Sequence, residues 1–118
     1  MNKYTELSDL EINKRVFVAA KIEHEDTDLH SNKVFYGDGA NWIEFNPCNN
    51  PSDAMPIIIE NNISITLSDD KDEGKWMAFD GDWYDERSLS RTSVSYGDNY
   101  YRIAMICFLL MKDVENEN

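Results

Sequence analysis

The side chains most able to do chemistry in this sequence are carboxylates. Asp70, Asp72 and Glu73 run up to Gly74, and the grouping superficially resembles a calcium loop. Such a loop needs three alternating oxygen ligands, glycine at its sixth position and a bidentate glutamate at its twelfth, all between two helices. That spacing is not met, and the flanking runs are strand-like, so these acids read as a solvated turn. Asp80, Asp82 and Asp85 lie between glycine and aromatic residues, again a turn composition. His24 and His30 sit in an acidic, aperiodic stretch, where no pattern supplies the further ligands a metal would need. Cys48 and Cys107 form neither a C-x-x-C pair nor a zinc knuckle. Cys107 falls inside an apolar run as a small core residue, whereas Cys48 falls in a loop and could be exposed. No nucleophile elbow, P-loop or dinucleotide fingerprint occurs. The sequence therefore predicts no catalytic residues, no bound metal and no cofactor.

The composition narrows the remaining classes. The chain has 118 residues with 23 acids against 11 bases, a formal charge of −12. Residues 22–45 carry six acids and one base, and residues 69–98 carry nine acids and four bases. A field of that sign repels phosphate backbones, so direct nucleic-acid binding is not expected. It leaves a basic partner, simple solubility, or occupation of a basic groove by imitation of phosphate spacing. The longest unbroken apolar stretch, residues 103–111, is nine long, against about 20 for a membrane span. No membrane association, a reducing cytoplasm, and one domain over residues 1–113 with a flexible acidic tail at 114–118 are the expectations. Nothing in the pattern points to a particular oligomeric state.

The elements that must position any site are partly legible. Ser8-Asp9-Leu10-Glu11 is a capping box, with Leu7 and Ile12 placed for a hydrophobic staple. It opens a predicted helix over residues 9–21, with Leu10, Ile12, Val16, Phe17 and Ala20 on one face. Residues 23–32 show no period and read as a solvated connection. Residues 33–36 and 42–45 are β-prone runs around Gly-Asp-Gly-Ala-Asn, a hairpin signal. Residues 46–51 mix prolines and asparagines and predict a loop. Ser52-Asp53 could cap a short helix through Asn61, while Pro56, which disfavours helical geometry at Met55, favours a start only at Pro56. Asn61-Asn62 is a left-handed stop. Ile63, Ile65 and Leu67 alternate with polar residues as a strand, and residues 75–79 supply its antiparallel partner. Residues 80–97 read as irregular with one further short strand. Asp98 or Asn99 caps a last helix whose run 103–111 is apolar around nearly its whole circumference and must be buried on most sides.

Aromatic residues make up 12% of the chain, and most should be core. Trp83 and Tyr84 are flanked by Asp82, Asp85, Glu86 and Arg87, where an amphipathic ring would serve at an interface. An aromatic pocket near Trp42, Trp76 or Trp83 could instead stack a nucleotide-like ligand, with Arg102 or a backbone nest meeting its phosphate.

Three segments together carry a family likeness: residues 7–13 (LSDLEIN), 46–58 (NPCNNPSDAMPII) and 102–111 (RIAMICFLLM). Residues 33–37 and 63–65 fit the same pattern in order. The chain resembles the NinX-like family of small bacteriophage proteins, departing mildly where Met55 replaces a frequent tryptophan and where Ile103 replaces an alanine. The resemblance implies a phage accessory role in the host bacterial cytoplasm, with no catalytic residues to transfer. Asn46, Asp53 and Arg102 are the polar members that a core alone does not explain, although capping and a loop salt bridge would suffice. The combined expectation is an α+β domain with a small antiparallel sheet of about four strands, packed by N-terminal and C-terminal helices. Its expected role is non-enzymatic: binding and modulation of a host protein, including counter-defence. A nucleotide-sequestering binder and an acidic DNA mimic stand as alternatives. Trp42, Asn46, Asp53, Trp83, Tyr84 and Arg102 are the candidate binding residues.

Overall fold

The computed structural model describes residues 3–22, 26–28, 33–37, 40–81 and 93–116. Ser8 has extended backbone and its hydroxyl accepts from the Glu11 amide at 3.1 Å, which starts α1 (Asp9–Ala20) as the sequence predicts. Lys21 closes the helix in the left-handed region at φ 53°, donating its amide to Val18. Two three-stranded antiparallel sheets follow in place of one four-stranded sheet. The first joins β1 (Asp26–Asp28), β2 (Phe35–Gly37) and β3 (Trp42–Glu44) in that order. β1 places a short strand within the stretch read as an aperiodic solvated connection: Asp28 pairs with Phe35 and Asp26 with Gly37. A three-residue edge strand rich in aspartate carries no apolar period, and charged residues suit an edge that must not recruit further strands.

The second sheet joins β4 (Ile63–Leu67), β5 (Trp76–Asp80) and β6 (Val94–Gly97). Between the sheets runs α2 (Pro51–Glu60), and α3 (Tyr100–Asn116) closes the chain. α2 begins five residues earlier than the proline rule suggests. Asn50 caps it through its side chain, Pro51 sits at the first helical position where no amide partner is lost, and Pro56 lies within the helix. Pro56 and Ser52 are both exposed, so the carbonyl that Pro56 cannot satisfy is left to water. Asn62 at φ 55° makes the predicted left-handed exit into β4.

α3 is the centre of the molecule. Its consecutive residues Ile103 to Leu109 are all buried, and the helix touches α1, α2 and all three strands of the second sheet. Asn99 rather than Asp98 caps it, accepting from the amides of Tyr101 and Arg102 at 3.1 and 3.0 Å. Asp98 instead accepts from the Lys75 amide at 2.9 Å. The helix continues through Asn116, so the segment expected as a tail starts as helix. At the other end of the sheet, Gly74 has φ +136° and a Cβ there would lie 2.6 Å from the Gly97 main chain; only glycine fits that approach. Among the described residues no helix is long and apolar enough to cross a membrane.

Candidate functional site

Two places in the structure gather the residues singled out by sequence, and they are built differently. The first is a polar junction where α1, the turn at residues 46–50, α2 and the start of α3 meet. Asn13 lies on the apolar stripe of α1, at helical spacing from Val16, Phe17 and Ala20, and is 5% exposed. Its Nδ2 donates to Asn46 Oδ1 at 2.8 Å, while its Oδ1 accepts from the Cys48 amide at 3.2 Å. Asn46 is the hub. Its main-chain N–H donates to Asp53 Oδ2 at 2.9 Å, its Nδ2 to Glu44 at 3.5 Å, and its Oδ1 also accepts from Asn49 at 3.1 Å. Asp53 sits in the first turn of α2, where its charge also suits the positive helix end.

Arg102 completes the junction from α3. Its Nη1 pairs with Asp9 Oδ1 at 2.6 Å, and its Nη2 donates to the carbonyls of Thr5 and Leu7 at 3.0 and 2.6 Å. The guanidinium thereby ties the entry of α1 to the first turn of α3, with its side chain only 19% exposed. Asn46, Asp53 and Arg102 are thus brought together in one network, and they spend their polar atoms on internal partners. Asn13 was missed in the sequence although a polar residue on an otherwise apolar helical stripe is the signal that marks it.

Cys48 lies within this junction and is fully buried, which decides against the exposure its loop position allowed. Burial pushes its thiol up to about 12, with the nearby Asp9 carboxylate adding to the shift and Arg102 opposing it. A thiol held protonated in this way is a packing residue and not a nucleophile. Cys107 is buried in α3 as expected, its Sγ 3.3 Å from the Ser93 carbonyl.

The second place is the outward face of the first sheet. Register pairs Phe35 with Glu44, Tyr36 with Ile43 and Gly37 with Trp42. Side chains of paired residues share a face. Val34, Tyr36 and Phe45 therefore point inward, where Phe17 of α1 lies 5.6 and 5.4 Å from the Tyr36 and Phe45 ring centres. Asp28, Lys33, Phe35, Trp42 and Glu44 fall on the other face. Trp42 is 48% exposed, and Lys33 pairs with Glu44 at 3.5 Å. Gly37 stands opposite Trp42, and a Cβ there would collide with the Asn41 carbonyl at 1.9 Å. Asp28, Phe35 and Trp42 line a recess of about 260 Å³. Phe35 was not singled out in the sequence, because its outward parity is fixed only once the register with Trp42 is known.

The remaining candidates divide simply. Trp76 is edge-on to Tyr100 with ring centres 5.1 Å apart. Trp83, Tyr84, His24 and His30 lie outside the described residues. The Asp70 carboxylate accepts from the Asp72 amide at 3.0 Å, forming part of the turn before Gly74. Among the described residues no three His, Cys, Asp or Glu side chains are grouped to hold a metal ion.

No curated protein and no solved structure matches the chain. A family model described as Bacteriophage P22, NinX matches residues 3–112. With nearly its whole length covered by that match, the chain belongs to the bacteriophage NinX family.

Proposed function

We propose that this phage accessory protein acts without catalysis, by binding and modulating a host protein in the bacterial cytoplasm, with counter-defence as the setting. The observation that carries this reading is the exposed Trp42 on a sheet whose outward face also holds Phe35. Half-exposed tryptophan is a residue type enriched where proteins meet other proteins. Family membership supplies the phage setting, and the junction commits Asn46, Asp53 and Arg102 to internal hydrogen bonds. A nucleotide-sequestering role draws less support: Arg102, the cation best placed by sequence to meet a phosphate, is committed to Asp9, Thr5 and Leu7, and the recess at Trp42 carries an aspartate.

Affinity capture from phage-infected host cells tests the proposal. One host protein retained stoichiometrically and competed away by excess untagged protein is the expected outcome. Recovery of no saturable partner overturns it. A thermal-shift screen against nucleotides discriminates the ligand reading, since a ligand that binds the folded state raises the melting temperature by mass action.

A further inference from the structure

We propose that β4 is a pairing edge for a second copy of this chain, the two strands meeting antiparallel across a twofold axis at Ile65. The contact lies on the second sheet and is independent of the host-binding reading. β4 is an outer strand, and among the described residues no strand lies on its other side. The Ser68 amide donates to the Lys75 carbonyl and the Gly81 amide to the Asn62 carbonyl. Bonded pairs alternate along an antiparallel ladder, so Ser64 opposite Phe79 and Thr66 opposite Met77 also turn their main chains towards β5. Ile63, Ile65 and Leu67 therefore point their amides and carbonyls away from β5, at the open edge. Their side chains share one face, at the end of which Leu67 is 62% exposed. Beside the start of the strand, Ile58, Ile59 and Ile63, together with Asn62, Ser64 and Gly81, line a shallow hollow of about 580 Å³. Ile59 is 68% exposed there.

Of the antiparallel registers that set outward groups against outward groups, the one centred on Ile65 uses all three residues of each copy. Ile65 then exchanges amide and carbonyl bonds with the second copy's Ile65, and Ile63 exchanges them with the second copy's Leu67. That leucine falls on the same face as Ile63, beside the Ile58–Ile59 hollow. One rotation thus matches the exposed leucine of each copy with the exposed hollow of the other, the self-complementarity that a twofold interface requires. Charge complementarity favours the same occupant. β4 carries no charged side chain, whereas the outer strands of the first sheet carry Asp26, Asp28 and Glu44, residues of the kind that keep an edge from recruiting further strands. A basic segment finds no carboxylate on β4 itself, while a second copy offers an equally uncharged strand. A five-residue pairing with two apolar side chains from each copy buries less than the roughly 1,200 Å² of a tight interface. The dimer is accordingly weak, forming towards millimolar concentration, and the charge of −12 on each copy opposes it at low salt.

The test is sedimentation equilibrium of the full chain from micromolar to millimolar concentration, joined to amide hydrogen exchange read by NMR over the same range. The expected result is a monomer that passes to a dimer, with the transition moving to lower concentration as salt is added. As the dimer forms, the amides of Ile63, Ile65 and Leu67 should exchange more slowly, while those of Ser64 and Thr66, already bonded to β5, should not change. That alternation is the signature of a strand added at this edge. Leu67→Lys, at an exposed position, should weaken the dimer about tenfold or more and leave the urea midpoint near that of the wild type. Trp42→Ala, on the other sheet, should leave dimerisation unchanged. A chain that stays monomeric at millimolar concentration and high salt overturns the proposal, even if a host protein later protects the same amides. So does a dimer that leaves the Ile63, Ile65 and Leu67 amides unprotected, that dissociates on adding salt, or that is lost in Trp42→Ala. If Leu67→Lys fails to fold, the exchange pattern of the wild type decides alone. Capture of a host protein bears on the preceding reading and not on this one: a dimer with the alternating protection stands whether or not a host partner is recovered.

Discussion

At the junction between α1, the 46–50 turn and α3, Asn13, Asn46 and Arg102 direct their polar atoms inward at one another and at main-chain groups. On the outward face of the first sheet the distribution is reversed, with Phe35 and Trp42 placed where alternation would put polar residues. The difference separates stability from recognition. Buried amides and a guanidinium stabilise a fold only when their hydrogen bonds are made, so each partner at the junction fixes the geometry of the next. An exposed indole adds little to stability, and under the proposed function it is the group that meets the partner. The internally bonded polar residues therefore mark the frame, and the aromatic departures from strand alternation mark the surface proposed to meet a partner.

The comparison breaks if substitutions at the junction are harmless or those on the sheet are not. Arg102→Ala should have the largest effect: it removes the Asp9 ion pair and strands two carbonyls, costing about 2–3 kcal/mol after allowance for partial exposure of the pair. The midpoint of urea unfolding measures it. Asn13→Ala should cost about 2 kcal/mol by the same assay, because the buried Cys48 amide loses its side-chain partner and Asn46 Oδ1 keeps only Asn49.

Cys48 gives the junction a pH signature. In the unfolded chain the thiol releases its proton near 9, while burial holds it up to about 12 in the folded state. Between those values the unfolded state binds fewer protons, so stability falls as pH rises from 9 towards 12 and is unaffected by this group below 9. Tyr4 and Tyr96 are also pushed above 10, each chiefly by burial, and steepen the loss at higher pH. Cys48→Ala should delay the onset of alkaline destabilisation to the tyrosine range, as followed by urea midpoints across pH. The native protein should correspondingly react with a thiol reagent only on unfolding, because Cys48 and Cys107 are both buried.

Smaller effects sharpen the contrast. Ser8→Ala should cost about 1 kcal/mol through loss of the α1 cap. Trp42→Ala should change stability by no more than about 0.5 kcal/mol, while having the greater effect of the two on partner binding. A large fall in melting temperature for Trp42→Ala would move that residue from the working surface to the frame.

What was legible in the sequence were features with a local cause. The Ser8 cap, the all-round apolar α3, the Asn62 exit and both hairpins each follow from a few neighbouring residues. β1 was not legible, because Asp26-Thr27-Asp28 gains its strand geometry only from pairing with β2. Pro56 was misleading, since its cost depends on whether the Ser52 carbonyl faces water, and Cys48 because a turn residue can be covered by a helix distant in sequence. The same holds for the candidate residues. Asn46, Asp53 and Arg102 were recognisable as polar residues needing an explanation, but their convergence required α1 and α3 to be brought side by side. Phe35 and Trp42 became a pair only through strand register.

The most direct measurement is site-specific photo-crosslinking in phage-infected cells, with a photoreactive phenylalanine placed at Trp42 or at Leu67, the latter 62% exposed on the second sheet. One host adduct from position 42, saturating with expression level and absent from position 67, is the predicted result. Equal adducts from both positions, or none from position 42, would contradict the assignment of the first sheet as the surface that meets the host.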